Sequence, residues 1–576
     1  MFPLRGAIGC LPLFVLCACA TRPIGVGQPA TLAAIGQASP DTSPYGLFLA
    51  GQAAANNGQS SAAAAYFGRA VVIDGGADGR LLNIRAFTAA LLAGDVAKAA
   101  LIAPTGADQD PTLLHLGTLV RGVEALARGE AKKARAILTS PEADVGHEAG
   151  AALLAPWAAA AAGEADTSIA HPEIPGDPIS QFFADLDQGK LFERAHRYDE
   201  AETAFRALIA KGDPGGIASI NLGEMLERRG RDPEAVAIYD AALARNHDDL
   251  TLQSARARAA AGKPAPALPT IRQSAAEALL APTTVLLVQK QEEVALAYLR
   301  LALRLDPDRD EAWVLVGDIL ASTSDVDGAR SAYLTPRPGS TSYVLARGKL
   351  AWVYQAAADR DAALKISRET LAAAPASQDA AVTLADLLRA DERYDESAKV
   401  LDELIGRLGE KADWRLLYMR AVDLEETGRW AESERDLQTA LKLRPDEPEL
   451  LNFLGYSWID RGENLPAALA MVQKAVNLDP HSGAMLDSLG WGYYRLGDFK
   501  TAVDKLEAAV ALEPADPDVN NHLGDAYWRV GRQTEAQFQW RRVLTLEPSV
   551  KIRNEVEGKL KNGLGGPIGP SVVAGQ

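Results

Sequence analysis

Six prolines mark the second half of this chain at near-constant intervals. Pro307, Pro375, Pro445, Pro480, Pro514 and Pro548 are separated by 68, 70, 35, 34 and 34 residues, and each closes a stretch rich in Leu, Ala and Arg. A unit of about 34 residues bounded by helix-stopping prolines is long enough for two helices and a turn, so the period predicts stacked helical hairpins. The clearest copy runs from Met485 to Pro514, with Gly483 as the first position of its frame. Leu486, Leu489, Tyr493 and Leu506 fall on one apolar stripe at helical spacing. Gly490 and Ala502 stand where two helices of a hairpin cross, and a larger side chain there would overpack the contact at a cost of about 1–3 kcal/mol. Gly497 suits the left-handed bend that ends the first helix, and Pro514 stops the second.

The same frame extends along the chain. Small residues recur at the eighth position at Gly51, Gly122, Gly189, Gly223, Gly317, Ala351, Ala385, Ala421, Gly455 and Gly524. They recur at the twentieth at Ala63, Ala134, Ala201, Ala235, Ala329, Ala363, Ser397, Ser433 and Ala536, while one extra residue in "DRGENLP" shifts the match to Ala468. This pattern resembles the tetratricopeptide repeat over nearly all of residues 44–548. The resemblance implies an all-α fold, an α-solenoid of roughly 12–15 hairpins wound into a right-handed superhelix. Weaker copies are expected over 149–182, 248–275 and 276–309. "SIAHPEIPGDP" (168–178) should separate an N-terminal array (44–170) from the main one (178–548), and "GKPAPALPTI" (262–271) reads as an irregular turn. A capping helix is expected over 549–564, followed by a disordered tail at 565–576.

All three cysteines lie in the first nineteen residues, at Cys10, Cys17 and Cys19. Residues 1–18 order a basic start, a short apolar core and small residues, as an export signal does, and that core is too short to span a bilayer. Leu16-Cys17-Ala18-Cys19 resembles the lipobox of bacterial lipoproteins. The resemblance implies cleavage after Ala18, acylation of Cys19 and, with Ala20 following, sorting to the outer membrane, facing the periplasm. An ordinary secretory signal is the alternative, and in either case no thiol remains downstream to form a wrong disulfide. Residues 19–43, rich in Pro, Gly, Ser and Thr, read as a tether with a flexible span of about 25–30 Å.

Signal, tether, repeats, cap and tail exhaust the sequence, which leaves no contiguous segment for a catalytic domain. There is no HExxH, P-loop or GxSxG motif, and histidines such as His115, His247 and His522 are scattered. "DPDRDEAW" (306–313) lacks the glycine and bidentate glutamate of a calcium loop and reads as a turn between hairpins. The expectation is therefore no enzyme activity, no cofactor and no metal site. A formal charge of −17 argues against nucleic acid as a partner.

Binding of proteins or extended peptides remains. By resemblance, the concave wall of such a stack comes from the second, fifth, ninth and twelfth positions of each first helix, with the thirteenth nearby. In the last three hairpins these supply Asn452, Tyr456 and Ile459; Asp487, Trp491, Tyr494 and Arg495; and Asn521, Asp525, Trp528 and Arg529. Tyr456, Trp491, Tyr494 and Trp528 are expected to line one groove, where rings with polar handles give contact area at low entropic cost. The competing expectation is that some of these rings pack between neighbouring helices. Upstream, Glu224, Glu227, Asp318 and Asp386 fall on the same wall, with Trp352 and Tyr418 isolated among them. The wording "LNFLGYSWIDRGENLPAALAMVQKAVNLDP", "MLDSLGWGYYRLG" and "NNHLGDAYWRVGRQTEAQFQWRRVL" resembles a group of Gram-negative outer-membrane tetratricopeptide lipoproteins. That resemblance implies an adaptor that delivers clients to a periplasmic carboxyl-terminal-processing protease or cell-wall enzyme. The alternative is an assembly scaffold or pilotin for a pilus, secretin or polysaccharide exporter.

Overall fold

The computed structural model describes residues 43–74, 79–105, 110–143, 148–169 and 172–565. The signal peptide, Cys19, nearly all of the tether and residues 566–576 of the tail lie outside the described residues. Within them the chain is all-α, from Pro44–Asn56 to Val550–Asn562, and no strand occurs among the described residues. Two compact units divide at Leu305 and Asp306.

One backbone feature recurs at every hairpin bend. Gly58, Gly94, Gly129, Gly163, His196, Gly230, Gly262, Lys290, Ser324, Ala358, Glu392, Gly428, Gly462, Gly497 and Gly531 all have positive φ. Each occupies the fifteenth position of its frame, so fifteen successive bends are closed by a left-handed residue. Ten of the fifteen are glycine, the residue that adopts this conformation without steric cost. The bends around Gly262 and Lys290 lie only 28 residues apart, which accounts for the weak sequence signal over 248–309.

The second unit is the regular one. Its first helices are Asp310–Ser322, Tyr343–Ala356, Gln378–Ala390, Trp414–Glu426, Pro448–Arg461, Gly483–Arg495 and Pro517–Arg529, each followed by a second helix that folds back on it. The expected close crossings are present. A Cβ placed on Gly490 would lie 2.6 Å from Leu506, and one on Gly524 would lie 2.5 Å from Trp540 Nε1. At the twentieth position Ala329, Ala363, Ala502 and Ala536 are fully buried. The frame continues into Val550–Asn562, a first helix that no second helix follows among the described residues: Gly558 stands at its eighth position, and a Cβ there would meet nothing within 4 Å.

The first unit departs from the expected plan. Its boundary does not fall in the Pro-rich stretch 168–178, because Pro178–Arg194 packs on Glu148–Ala161, with Trp157 Nε1 donating to Asp187 at 2.9 Å. Burial pushes the Asp187 carboxyl up to about 7, against the opposing pull of Lys190 and the Trp157 hydrogen bond. In "GKPAPALPTI" residues 263–270 form no regular element before Thr270 caps Ile271–Ala278 with a reciprocal bond to Gln273. Glu292–Leu305 then runs against Arg80–Leu92 and Pro111–Ala127, burying Leu296, Leu299, Leu301 and Leu303. Arg300 Nε donates to the Leu92 carbonyl at 2.9 Å, and Arg304 Nε to Glu124 at 2.8 Å. A helix apolar on nearly every side must be enclosed, so it closes this unit on itself instead of adding an open hairpin.

Candidate functional site

The wall positions of the last three hairpins sort into two packed clusters. In the first, the Trp491 ring stacks on Tyr494 at 4.6 Å and 9° between planes, and on His522 at 4.2 Å and 18°. His522 Nδ1 lies 2.9 and 3.0 Å from the two oxygens of Asp487, and Arg529 Nε donates to Tyr494 Oη at 3.2 Å. Burial opposes the charge on the His522 imidazole, yet Asp487, with Asp525 and Asp518 behind it, raises it to about 8. His522 is therefore a cation at neutral pH, clamped between a carboxylate and an indole face.

The second cluster is built on Val550–Asn562, the last of the described helices. Lys559 Nζ donates to Asp525 at 2.7 Å and to Asn521 at 2.9 Å, and pairs with Glu555 at 2.5 Å. Trp540 Nε1 gives Asp525 a further bond at 3.0 Å. Burial holds the Asp525 carboxyl above its usual range despite Lys559. Trp528 is tilted against Trp540 at 5.3 Å and sits over Gly563, where a Cβ would come within 2.3 Å of the indole. Arg529 also donates to the Gly565 carbonyl at 3.1 Å.

The four rings thus do not line one open groove. Tyr494 is buried, Trp491, Trp528 and Tyr456 are partly buried, and Asp487, Asn521 and Asp525 are spent on partners within the chain. Tyr456 and Asn452 lie one hairpin upstream, joined to neither cluster by a hydrogen bond or ring stack, and Arg495 donates to the Asp460 carbonyl at 2.6 Å. Frame position sets the direction in which a side chain leaves its helix, but the next first helix lies across that direction. Asn521, Asp525 and Trp528 are covered by Val550–Asn562 and the residues that follow it, and Trp491 by His522. His522, Trp540 and Lys559 were not singled out from sequence as partners. The signals available were the repeat frame running on to Gly558 and a lysine at the following wall position.

An open apolar strip lies elsewhere on the second unit. Leu345 and Trp352, second and ninth in the frame of Tyr343–Ala356, are 54% and 44% exposed, with Gly348 at the fifth position between them. A Cβ on Gly348 would meet only the Thr383 side chain, with Oγ1 at 3.5 Å and Cγ2 at 3.8 Å, so a shallow notch separates the two side chains. The ninth positions of the flanking first helices are Asp318 and Asp386. Asp318 accepts from Tyr333 Oη at 2.7 Å and pairs with Lys349 at 2.9 Å, while burial raises the Asp386 carboxyl in spite of Arg389. Leucine, a notch and tryptophan can receive an extended segment that carries an apolar anchor, while the flanking carboxylates Asp318 and Asp386 are paired within the chain with Lys349 and Arg389.

Family models of the tetratricopeptide repeat match residues 186–249, 285–340, 418–483 and 492–531. The TPR repeat-containing protein PA4667 of Pseudomonas aeruginosa is 32% identical over 118 residues, which is 20% of this chain and 20% of that protein. The chain thus matches about a fifth of that curated relative's length. Among solved structures, the Cut9–Hcn1 hetero-tetramer of the APC/C is similar over 92% of this chain and 98% of that one, at 14% identity and TM-score 0.37. A tetratricopeptide repeat protein from Parabacteroides merdae covers 44% of this chain and 99% of its own, at 12% identity and TM-score 0.38. The fold is a tetratricopeptide-repeat α-solenoid, and stacks of this kind serve as protein–protein interaction scaffolds, typically without catalysis of their own. Among the described residues no cluster of His, Cys, Asp and Glu could hold a metal ion, and no helix is long and apolar enough to cross a membrane.

Proposed function

We propose that this chain is a lipid-anchored adaptor of the periplasmic face of the outer membrane, acylated at Cys19, which presents protein clients to a carboxyl-terminal-processing protease or a cell-wall enzyme. The lipobox-like Leu16-Cys17-Ala18-Cys19 and the wording of the last three hairpins support the location and the role. The observation that carries binding is the strip Leu345–Gly348–Trp352, an exposed indole on a first helix of the open unit, flanked by Asp318 and Asp386. Its client is a polypeptide segment with an apolar anchor.

Cross-linking of the anchored protein in intact envelopes, followed by identification of the captured chains, tests this reading. A protease or cell-wall hydrolase should be recovered, and Trp352→Ala should lower its recovery at least tenfold, since a hot-spot tryptophan contributes about 2 kcal/mol or more. Recovery of pilus, secretin or polysaccharide-export components instead would assign the chain to envelope assembly. Unchanged recovery with Trp352→Ala would remove the strip from the binding surface.

A further inference from the structure

The first two hairpins carry an unusual density of exposed apolar side chains, and topology gathers them on one edge. The turns at residues 57–59 and 93–95 are short, so Pro44–Asn56 and Ser60–Asp74 run antiparallel, as do Arg80–Leu92 and Val96–Leu101. The starts of the first and third helices and the ends of the second and fourth therefore share an edge. Tyr45 is the second residue of its helix and 70% exposed; Val72, near the end of the next, is 81% exposed, with Ile73 beside it. Leu81 is the second residue of the third helix, and Leu101, the last of the fourth, is 79% exposed.

Two further observations indicate what covers this edge. The chain leaves the fold there: Pro44 begins the first helix on that edge, and 24 residues separate it from Cys19. A random coil of 24 residues has an end-to-end span of about 25–30 Å, little more than one 13-residue helix of about 20 Å, so a lipid on Cys19 keeps this edge near the surface. The charge also differs from the rest of the molecule. Residues 44–105 hold Arg69, Arg80, Arg85 and Lys98 against Asp74, Asp78 and Asp95, in a chain whose formal charge is −17. This end lacks the acidic excess of the chain as a whole, so an anionic surface does not repel it.

We infer that the edge formed by Tyr45, Val72, Ile73, Leu81 and Leu101 lies against the phospholipid surface, as a second membrane contact beside the acyl anchor. The inference rests on acylation of Cys19. The acyl anchor by itself leaves the fold free to turn at the surface, whereas a peripheral apolar contact fixes its orientation. Tyr45, with an apolar ring and a polar tip, suits the headgroup level.

The mature chain has no thiol after Cys19, so a single introduced cysteine can be labelled cleanly. Val72→Cys, Leu101→Cys and, as a control on the second unit, Phe538→Cys would each carry a polarity-sensitive fluorophore. Each acylated protein is inserted into vesicles of phosphatidylethanolamine and phosphatidylglycerol containing brominated lipid, with acylation read by mass in the same preparation. Labels at 72 and 101 should shift to the blue and be quenched at least twofold more than the label at 538. An acylated protein whose labels at 72 and 101 remain in water, or are shielded equally without lipid, overturns the contact and leaves the anchor standing. A preparation without acyl groups overturns the anchor and this contact with it.

Discussion

Replacing Lys559 by methionine isolates the interaction that seats the terminal helix. Lys559 and Asp525 are both buried, their charged atoms are 2.7 Å apart, and Asn521 and Glu555 complete the ammonium's hydrogen bonds. Lys559→Met keeps the side-chain volume but leaves Asp525 with only the Trp540 indole as partner. Removing one member of a buried pair costs about 3–5 kcal/mol, chiefly because the remaining charge stays in a low-dielectric site. Since each hairpin contacts mainly its neighbours, the loss should appear as local opening of Val550–Asn562 rather than collapse of the array. Opening should become on the order of a hundredfold to a few thousandfold more frequent. Native-state amide hydrogen exchange reads this directly, with amides of Gln378–Ala390 as the internal control. Asp525 is already held above its usual range by burial, so the deficit should shrink as pH falls and the carboxyl neutralises. Combining Lys559→Met with Asp525→Asn should restore much of the protection. A coupling between the two substitutions below about 0.5 kcal/mol would refute the assignment.

Gly490→Ala forces a Cβ to within 2.6 Å of Leu506 and should destabilise the unit by about 1–3 kcal/mol, measured as a lower urea midpoint. Ala358→Gly should instead stabilise by about 0.5–1 kcal/mol, because Ala358 closes its bend at φ 59° where a side chain is strained; an unchanged or lower midpoint would contradict the strain. His522 is raised above its unfolded value of about 6.5 to about 8, so its contribution, on the order of 2 kcal/mol, is fully present below pH 6.5 and is lost as pH rises through 8. Stability of the last hairpins should accordingly decline between pH 6.5 and 9, and His522→Gln should flatten that decline.

The helical hairpins, their bends and their close crossings were legible because each depends on residues near in sequence. Gly497 at a bend and Gly490 under Leu506 are local requirements repeated every 34 or so residues. Even the irregular bends at His196, Lys290, Ser324, Ala358 and Glu392 keep their place in the frame without glycine. The site was less legible. Trp491, Tyr494, Asp525 and Trp528 stand at the expected wall positions, but the pattern does not say that His522 stacks on Trp491 or that Lys559 lies on Asp525. Among the six rings expected on the wall, Trp352, isolated in the sequence, is the exposed one.

Period, bend and composition therefore determined by themselves that the chain would be an all-α series of hairpins, because a helix and its return partner lie within one repeat of each other. Only the tertiary structure decided which walls stay open. Arg300 reaches a carbonyl 208 residues away, and Glu292–Leu305 fills the first unit, although its sequence resembles one more helix of the series. A side chain's direction from its own helix follows from local geometry, whereas what covers it depends on how the accumulated small rotations between hairpins bring distant helices together.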